Sequence, residues 1–571
     1  MAEIPSSEKF KIAVFSGPTA TIQNTEPLVT SNKAREKYDL PPRKNPDGRP
    51  MRFDALRAQR LAAPVTVYIE QFSAHPLEGD GAELYAPPDG YIDPSGQFHK
   101  QRQGANDIPV YEVTLRPEDG LYPLPYMARQ ASGQAWDGDG GDSNAPAEKC
   151  RQPFFPDPSR LFEEIDRLGV GDEGVSSQLS SRADFDFYRA APSGGYTKGL
   201  PEGLRSDAGQ GDIPPEILGK DFFPYRPGYL RKEPPMAILA RLTNVVQQAL
   251  KRGLYNGAIW LEGSPFVEET SYWLNLLIDT AIPIVGNASQ RAHGAVGNDG
   301  DRNIIDSVDY IVSRIWADES GRNTVGAVVI QDERIFTARD VQKGDARPGG
   351  YVATGGHGGI IGTMGQPGSP ALTFRTVKRH THTSAVNLTQ LPESVEGARL
   401  DGNRIIRIAV RIKDAQGNLL PTAIPKVTIV KHARYLQEDE SGSAASEVEI
   451  LARIAENLRA APLAGFVAEG SAPFGATSNS TDAALKRAIF SGMPLVRVGR
   501  GNAEGLVDAK RNPLSIGGSN LTATKARLLL MACLMKFGSL PSAGDPENPT
   551  RAEQDGVKAK LAQYQAVFDT H

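Results

Sequence analysis

A short apolar run, Ile12 to Phe15, breaks into Ser16-Gly17-Pro18-Thr19 and gives way to "ATIQNTEP", which has no hydrophobic period. A strand that ends in a Gly-Pro turn sets the next hydroxyls at its carboxyl edge, where open α/β sheets bind ligands. Thr19 is therefore a candidate nucleophile, although an ordinary strand-to-helix turn has the same composition. "KRHTHTS" offers His380-x-His382, a spacing that on a strand presents two imidazoles to a metal. No third ligand is in view, and a structural role is the plainer expectation. "DGDGGDSNAPAE" spaces Asp137, Asp139 and Glu148 like the ligands of a calcium loop. Asp142 replaces the turn glycine there and no flanking helices are evident, so a solvated acidic loop is expected. The glycine-rich "ATGGHGGIIGTMG" lacks the strand-to-helix context of a dinucleotide site, and no cofactor is expected.

The elements that must position such groups alternate along most of the chain. "PPMAILARLTNVVQQALKRGL" has helical spacing, "NGAIWLEG" reads as a buried strand, and "VEETSYWLNLLIDT" is a helix entered through acidic residues. Strand "AIPIVGN", helix "DRNIIDSVDYIVSRIWA" and strand "TVGAVVIQ" follow, which predicts a doubly wound, mostly parallel sheet. "NRIIRIAVRIKDAQGNLLP", within residues 386–423, alternates around a QGN turn and reads as a β-hairpin in a linker. Beyond it, residues 424–571 form a second, smaller α/β unit from "PKVTIVKHARY" to a closing helix, "TATKARLLLMACLMKF". Residues 76–235 differ, with Gly, Pro, Asp and scattered aromatics and little sustained period. That stretch reads as an insertion that covers the scaffold, its Tyr122, Tyr126, Trp136, Phe154 and Phe155 packing on something.

Composition narrows the function. The 571 residues carry 63 basic and 68 acidic side chains, a net charge of −5, so no basic field points to nucleic acid or a membrane surface. A small-molecule partner is expected. Cys150 and Cys533 alone fit neither a disulfide scaffold nor a cysteine metal site, and a reducing compartment is the easier reading. "MAEIPSSEKF" lacks a secretory pattern and no apolar run approaches membrane-spanning length, which predicts a soluble, cytoplasmic protein.

Several motifs together resemble the bacterial asparaginase/glutaminase family of amidohydrolases. "VFSGPTAT" stands where that family has T-G-G-T-I-A, and "GAIWLEGSPFVEETSYWLNLL" resembles its strand, H-G-T-D-T turn and E-E-T-A helix. "IPIVGNASQRAHGAVGNDGDRNIIDSV" resembles the segment ending in A-D-G-x-x-N, and "VVIQDERIFTARDVQKG" the stretch with R-D-V-x-K. "GMPLVRVGR" and "LTATKARLLLMACL" resemble motifs of the family's second domain. The resemblance implies a larger catalytic domain, residues 1–385, carrying the 76–235 insertion, and a smaller one, residues 424–571.

The resemblance further implies that Thr19 attacks a linear amide, with Ser264 and Lys343 as its proton relay. A lysine buried near other polar groups can have its pKa lowered enough to accept a proton. Pro265 stands where the family has an Asp that orders the lysine and holds the substrate's ammonium group. Free asparagine and glutamine are therefore expected to be poor substrates. Glu262, where the family has His, is a candidate for the missing charge, the alternative being a solvated or structural carboxylate. Ser16 and the register-shifted pair Gln71 and Ser73 are the remaining candidates for contact with substrate. Asn298 and Asp299 are expected to brace a loop. The insertion follows the strand in "VTVYIEQF" and is expected to leave the sheet at the edge carrying Thr19 and Ser264. The resemblance also implies a homo-oligomer, a dimer of dimers. Rival readings are an esterase or cyclic-amide hydrolase on the same fold, and a non-catalytic or amidotransferase-like subunit.

Overall fold

A computed structural model describes residues 10–17, 29–31, 53–60, 65–69, 88–93, 98–115, 121–125, 162, 165, 178–179, 181–189, 235–291, 297–354, 359–365, 369–433, 442–472, 474–500 and 512–571. Two compact units divide the chain. The first comprises Met1–Glu233 with Leu261–Gly263 and Ser289–Val308, and the second Pro234–Trp260, Ser264–Ala288 and Asp309–His571.

In the first unit, β1 (Phe10–Ser16) buries Ile12, Ala13, Val14 and Phe15, the continuous apolar run expected of a strand covered on both faces. Antiparallel pairing then joins β2 (Val29–Ser31), β3 (Phe53–Arg60), β4 (Val65–Ile69), β5 (Gly90–Ile92), β6 (Phe98–His99), β7 (Ile108–Leu115) and β8 (Leu121–Pro125). Their order is β6-β5-β7-β4-β2-β3-β8. β9 (Ala183–Arg189) pairs parallel with β1 through seven positions, from Phe10↔Ala183 to Ser16↔Arg189.

Two expectations are corrected here. Part of the stretch expected to be cover is scaffold, because β9 is a full-length parallel neighbour of β1. "ADFDFYR" alternates over too few residues, between Gly- and Pro-rich flanks, to stand out as a sheet strand. The strand in "VTVYIEQF" is β4, which pairs antiparallel with β7 and with β2. Its alternation of Val65, Val67 and Ile69 with Thr66 and Tyr68 suits an antiparallel ladder, so the expected exit from a parallel sheet edge does not hold.

The second unit opens with α1 (Pro235–Lys251) and β10 (Gly257–Leu261), followed by α2 (Val267–Leu277), β11 (Ile284–Asn287), α3 (Gly300–Ser313), which starts in the first unit, and β12 (Val328–Gln331). β10, β11 and β12 are buried along their whole length, and β11 and β12 run parallel. β13 (Arg334–Thr337) turns back antiparallel, β14 (Val341–Lys343) and β15 (Tyr351–Ala353) form a separate hairpin, and β16 (Ile360–Met364) and β17 (Pro370–Leu372) end the sheet antiparallel.

The hairpin of the linker is β18 (Ser394–Asp401) with β19 (Arg404–Arg411), turning at Gly402, whose φ of 58° suits glycine. The QGN residues make a different turn, under the bridge between Lys413 and Leu419. The smaller sheet is wholly parallel: β20 (Lys426–Lys431), β21 (Ala464–Gly470), β22 (Leu495–Gly499) and β23 (Ile516–Gly517). α4 (Val448–Ala460) and α5 (Asn479–Phe490) connect its strands. α6 (Ala523–Phe537) is mostly apolar and packs between α2 and β21, with Leu529, Leu530, Cys533, Leu534 and Met535 wholly buried. It does not close the chain, as α7 (Arg551–Thr570) follows, started by a reciprocal cap between Thr550 and Glu553. The fold is mixed α/β, as the alternation of elements predicts.

Candidate active site

β10 ends at Leu261, and Glu262 to Phe266 carry the chain into α2. Within the first unit the Leu261 carbonyl accepts the Gly17 N–H at 2.7 Å, so the turn leaving β1 starts beside the carboxyl end of Leu261. Glu262, the next residue, is a buried carboxylate and not a solvated one. Ser16 ends β1. Thr19, Gln71 and Ser73 lie outside the described residues, as do Tyr126, Trp136, Phe154, Phe155 and the acidic loop.

Within the second unit, Ser264 and Lys343 meet through a residue that sequence reasoning missed. Ser264 is half-buried and Pro265, joined to it by a cis peptide bond, is exposed. The Tyr351 hydroxyl donates to Ser264 Oγ at 2.9 Å. Lys343 is the cross-strand partner of Tyr351 in the β14–β15 hairpin, and its Nζ lies 4.7 Å from the centroid of the tyrosine ring. Directly opposed residues in an antiparallel pair present their side chains on one face, which makes this contact a consequence of register. Lys343 Nζ also donates to the Arg347 carbonyl at 3.1 Å. The loop that aims this carbonyl is built internally: Asp345 accepts from the Arg347 amide at 2.8 Å and from its guanidinium at 2.6 Å, which holds the Asp345 pKa down at about 2. Gly349 (φ 68°) and the Gly344 N–H to Gly350 carbonyl bond at 2.7 Å close the turn.

The R-D-V-x-K stretch divides between support and site. Arg339 donates to the His571 carbonyl at 2.9 Å and to Asn520 at 2.8 Å, and pairs with Asp340 at 2.6 Å. Val341 is in the core. These anchors fix β14, and Lys343 follows at its end.

A second polar group lies in the first turn of α2. Glu268 accepts the backbone N–H of Lys343. Lys525, in the first turn of α6 and 2 % exposed, donates to the carbonyls of Glu268 and of Ala338, the latter at 2.6 Å. Burial pushes Glu268 up from its ordinary range, against the pull of the Lys343 amide and the Lys525 charge. Burial also pulls Lys525 down to about 8, against the Glu268 charge. Arg527 pairs with Glu269 at 2.7 Å beside them.

Asp299 braces a loop: its carboxylate accepts from the amides of Gln290 and Arg291, each at 3.0 Å, and Asn298 accepts the Gly300 amide at 2.9 Å. His380 and His382 stack edge to face at 5.7 Å, His380 capping a 3-10 turn and His382 reaching the Thr280 carbonyl at 3.3 Å. Burial brings His380 down to about 4, so it is neutral at pH 7. Among the described residues no three His, Cys, Asp or Glu side chains gather as a metal site, and no helix is long and apolar enough to cross a membrane.

Tyr351 had a sequence signal, since "KGDARPGGY" places two residues opposite each other across a Gly/Pro turn. Glu268 was visible only as an acidic first turn, and Lys525 only as one of two bases opening an otherwise apolar helix.

Residues 235–361 match the family model described as "Asparaginase, N-terminal". A glutaminase-asparaginase of Acinetobacter glutaminasificans is 31 % identical over 169 residues, 29 % of this chain and 47 % of that one. An L-asparaginase of Bacillus licheniformis is 37 % identical over 105 residues, 18 % of this chain and 31 % of that one. The chain thus spans less than half the length of these curated relatives. Among solved structures, a probable cytoplasmic L-asparaginase from Campylobacter jejuni aligns with a TM-score of 0.45 at 18 % identity, over 73 % of this chain and 91 % of that one.

Proposed function

From the premise that the chain is a divergent asparaginase-family protein, we propose that it is an amidohydrolase cleaving the C–N bond of a linear amide other than free asparagine or glutamine. The observation that carries this reading is the Ser264–Tyr351–Lys343 group, which lies inside the matched residues 235–361. In this reading the Thr19 hydroxyl attacks the amide carbonyl and gives up its proton through Ser264 and Lys343. The amine leaves with a proton, and water hydrolyses the resulting ester to return Thr19. Neither step consumes an oxidant or a cofactor.

Substrate choice follows from position 265. An ammonium group brought into a site loses hydration, and the loss is offset only by a paired charge or by several acceptors. Pro265 supplies neither, so an amide lacking the α-amino group is the better substrate. Ammonia release measured in parallel on asparagine, glutamine and succinamic acid tests this. Succinamic acid is expected to be turned over at least about tenfold faster, the cost of one poorly paired charge. Equal or faster turnover of asparagine would overturn the reading.

The proposal extends to a homotetramer built from close dimers. Its candidate contact is the tight turn of residues 469–480, where Ser471 bridges Ala476 and Phe474 is half exposed. Light scattering should give four chains per particle, and a fully active monomer would refute it.

A further inference from the structure

We propose that Tyr351 is the positioning residue of this site: it fixes the Ser264 hydroxyl and the Lys343 amine in one geometry, which Pro265 cannot do. The inference rests on the amidohydrolase reading for its consequence in catalysis, but on geometry for its content. The ring is 1 % exposed, so packing locks its rotamer. Its hydroxyl reaches Ser264 at 2.9 Å, while its face lies 4.7 Å from Lys343 Nζ. One rigid side chain therefore sets both groups, with the Arg347 carbonyl completing the hold on Lys343 at 3.1 Å.

The hydrogen-bond direction matters for the chemistry. A serine hydroxyl has one proton and two lone pairs. With one lone pair occupied by the Tyr351 O–H, Ser264 keeps a proton to donate and a lone pair to receive one. A hydroxyl held that way passes a proton on without first rotating out of a wrong hydrogen bond. An aromatic face attracts a lysine without adding a carboxylate, so the site holds its base with no negative charge at position 265.

The test combines a kinetic and a spectroscopic readout. In protein labelled with carbon-13 lysine, with Lys343→Arg used for assignment, the Hε resonances of Lys343 should lie upfield of free lysine because of the tyrosine ring current. Tyr351→Phe keeps the ring and loses the hydroxyl: the upfield shift stays, while kcat for succinamic acid falls about tenfold with KM within about twofold. Tyr351→Leu loses both, so the resonance moves to the free-lysine position and kcat falls about a hundredfold. Should the leucine variant fail to fold, the wild-type shift and the phenylalanine kinetics decide alone. Lys343 Hε at the free-lysine position in the wild type, or a Tyr351→Phe enzyme with unchanged kcat, overturns the proposal. A wild-type protein inert on every amide but showing the shifted resonance fails the amidohydrolase reading and supports the positioning geometry, so the two failures are told apart.

Discussion

The two polar groups at the start of α2 use similar side chains for opposite ends. Around Ser264 the lysine is half-buried, rests on a ring face and donates to the Arg347 carbonyl, and has a strand-end loop for support. Around Glu268 the lysine is sunk in the core, donates to two main-chain carbonyls and feels the charge of the half-buried Glu268 carboxylate. Burial lowers the Lys525 pKa to about 8, while Lys343 is the half-buried lysine that Tyr351 links to Ser264. Burial, and not residue type, separates the two lysines. The two are mechanically linked, because Glu268 holds the Lys343 amide while Lys525 fastens the Glu268 and Ala338 carbonyls.

Breaking each side separately should give different signatures. Thr19→Ala or Lys343→Ala is expected to lower turnover about a thousandfold with an unchanged circular dichroism spectrum, since in the proposed reaction both remove reacting groups. Near-normal rates in either variant would show that other residues run the reaction. Lys525→Met should instead cost about 2 kcal/mol of stability, read as a lower denaturant midpoint, because it leaves the Glu268 and Ala338 carbonyls without their donor.

The pH dependence sharpens this contrast. Lys525 titrates near 8 when folded and near about 10.4 when unfolded, so between those values the unfolded chain binds more protons. The stability of the wild type relative to Lys525→Met should therefore rise as pH goes from 8 towards 10, by at most about 1.4 kcal/mol per unit. Below 8 this contribution is flat. Midpoints at pH 7.5, 8.5 and 9.5 measure it, and a constant difference would show that the amine is not desolvated. The smallest effect belongs to Asp345→Ala, which frees the exposed loop that aims the Arg347 carbonyl. Stability should stay close to that of the wild type, while kcat drops a few-fold.

Periodicity made most of the second unit legible before any coordinates. The buried strands "GAIWL" and "VVIQ" and the apolar helix "ATKARLLLMACLMKF" lie where it put them. Ser264 and Lys343 were legible because both lie in motifs whose order the chain keeps. Tyr351 carried its signal only in the 344–350 turn, which sets the cross-strand register with Lys343, and not in any local period. Glu268 and Lys525 are 257 residues apart in the chain and are joined only by the packing of α2 on α6, which no single-segment pattern reveals. β9 was hidden for another reason: short alternation inside a Gly- and Pro-rich stretch carries too little signal to mark a sheet strand.

The parallel pairing of β1 with β9 also sets a timetable for synthesis. Residues 17–182 must leave the ribosome before Ala183 can reach Phe10, on the order of ten seconds at ordinary elongation rates. Throughout that interval β1, the most apolar segment near the amino terminus, has nascent chain in place of its eventual neighbour. An unpaired apolar strand templates association with other chains. Production of this protein should therefore benefit from slower translation in the cold and from holdase chaperones, and fragments ending before residue 183 should partition into aggregates.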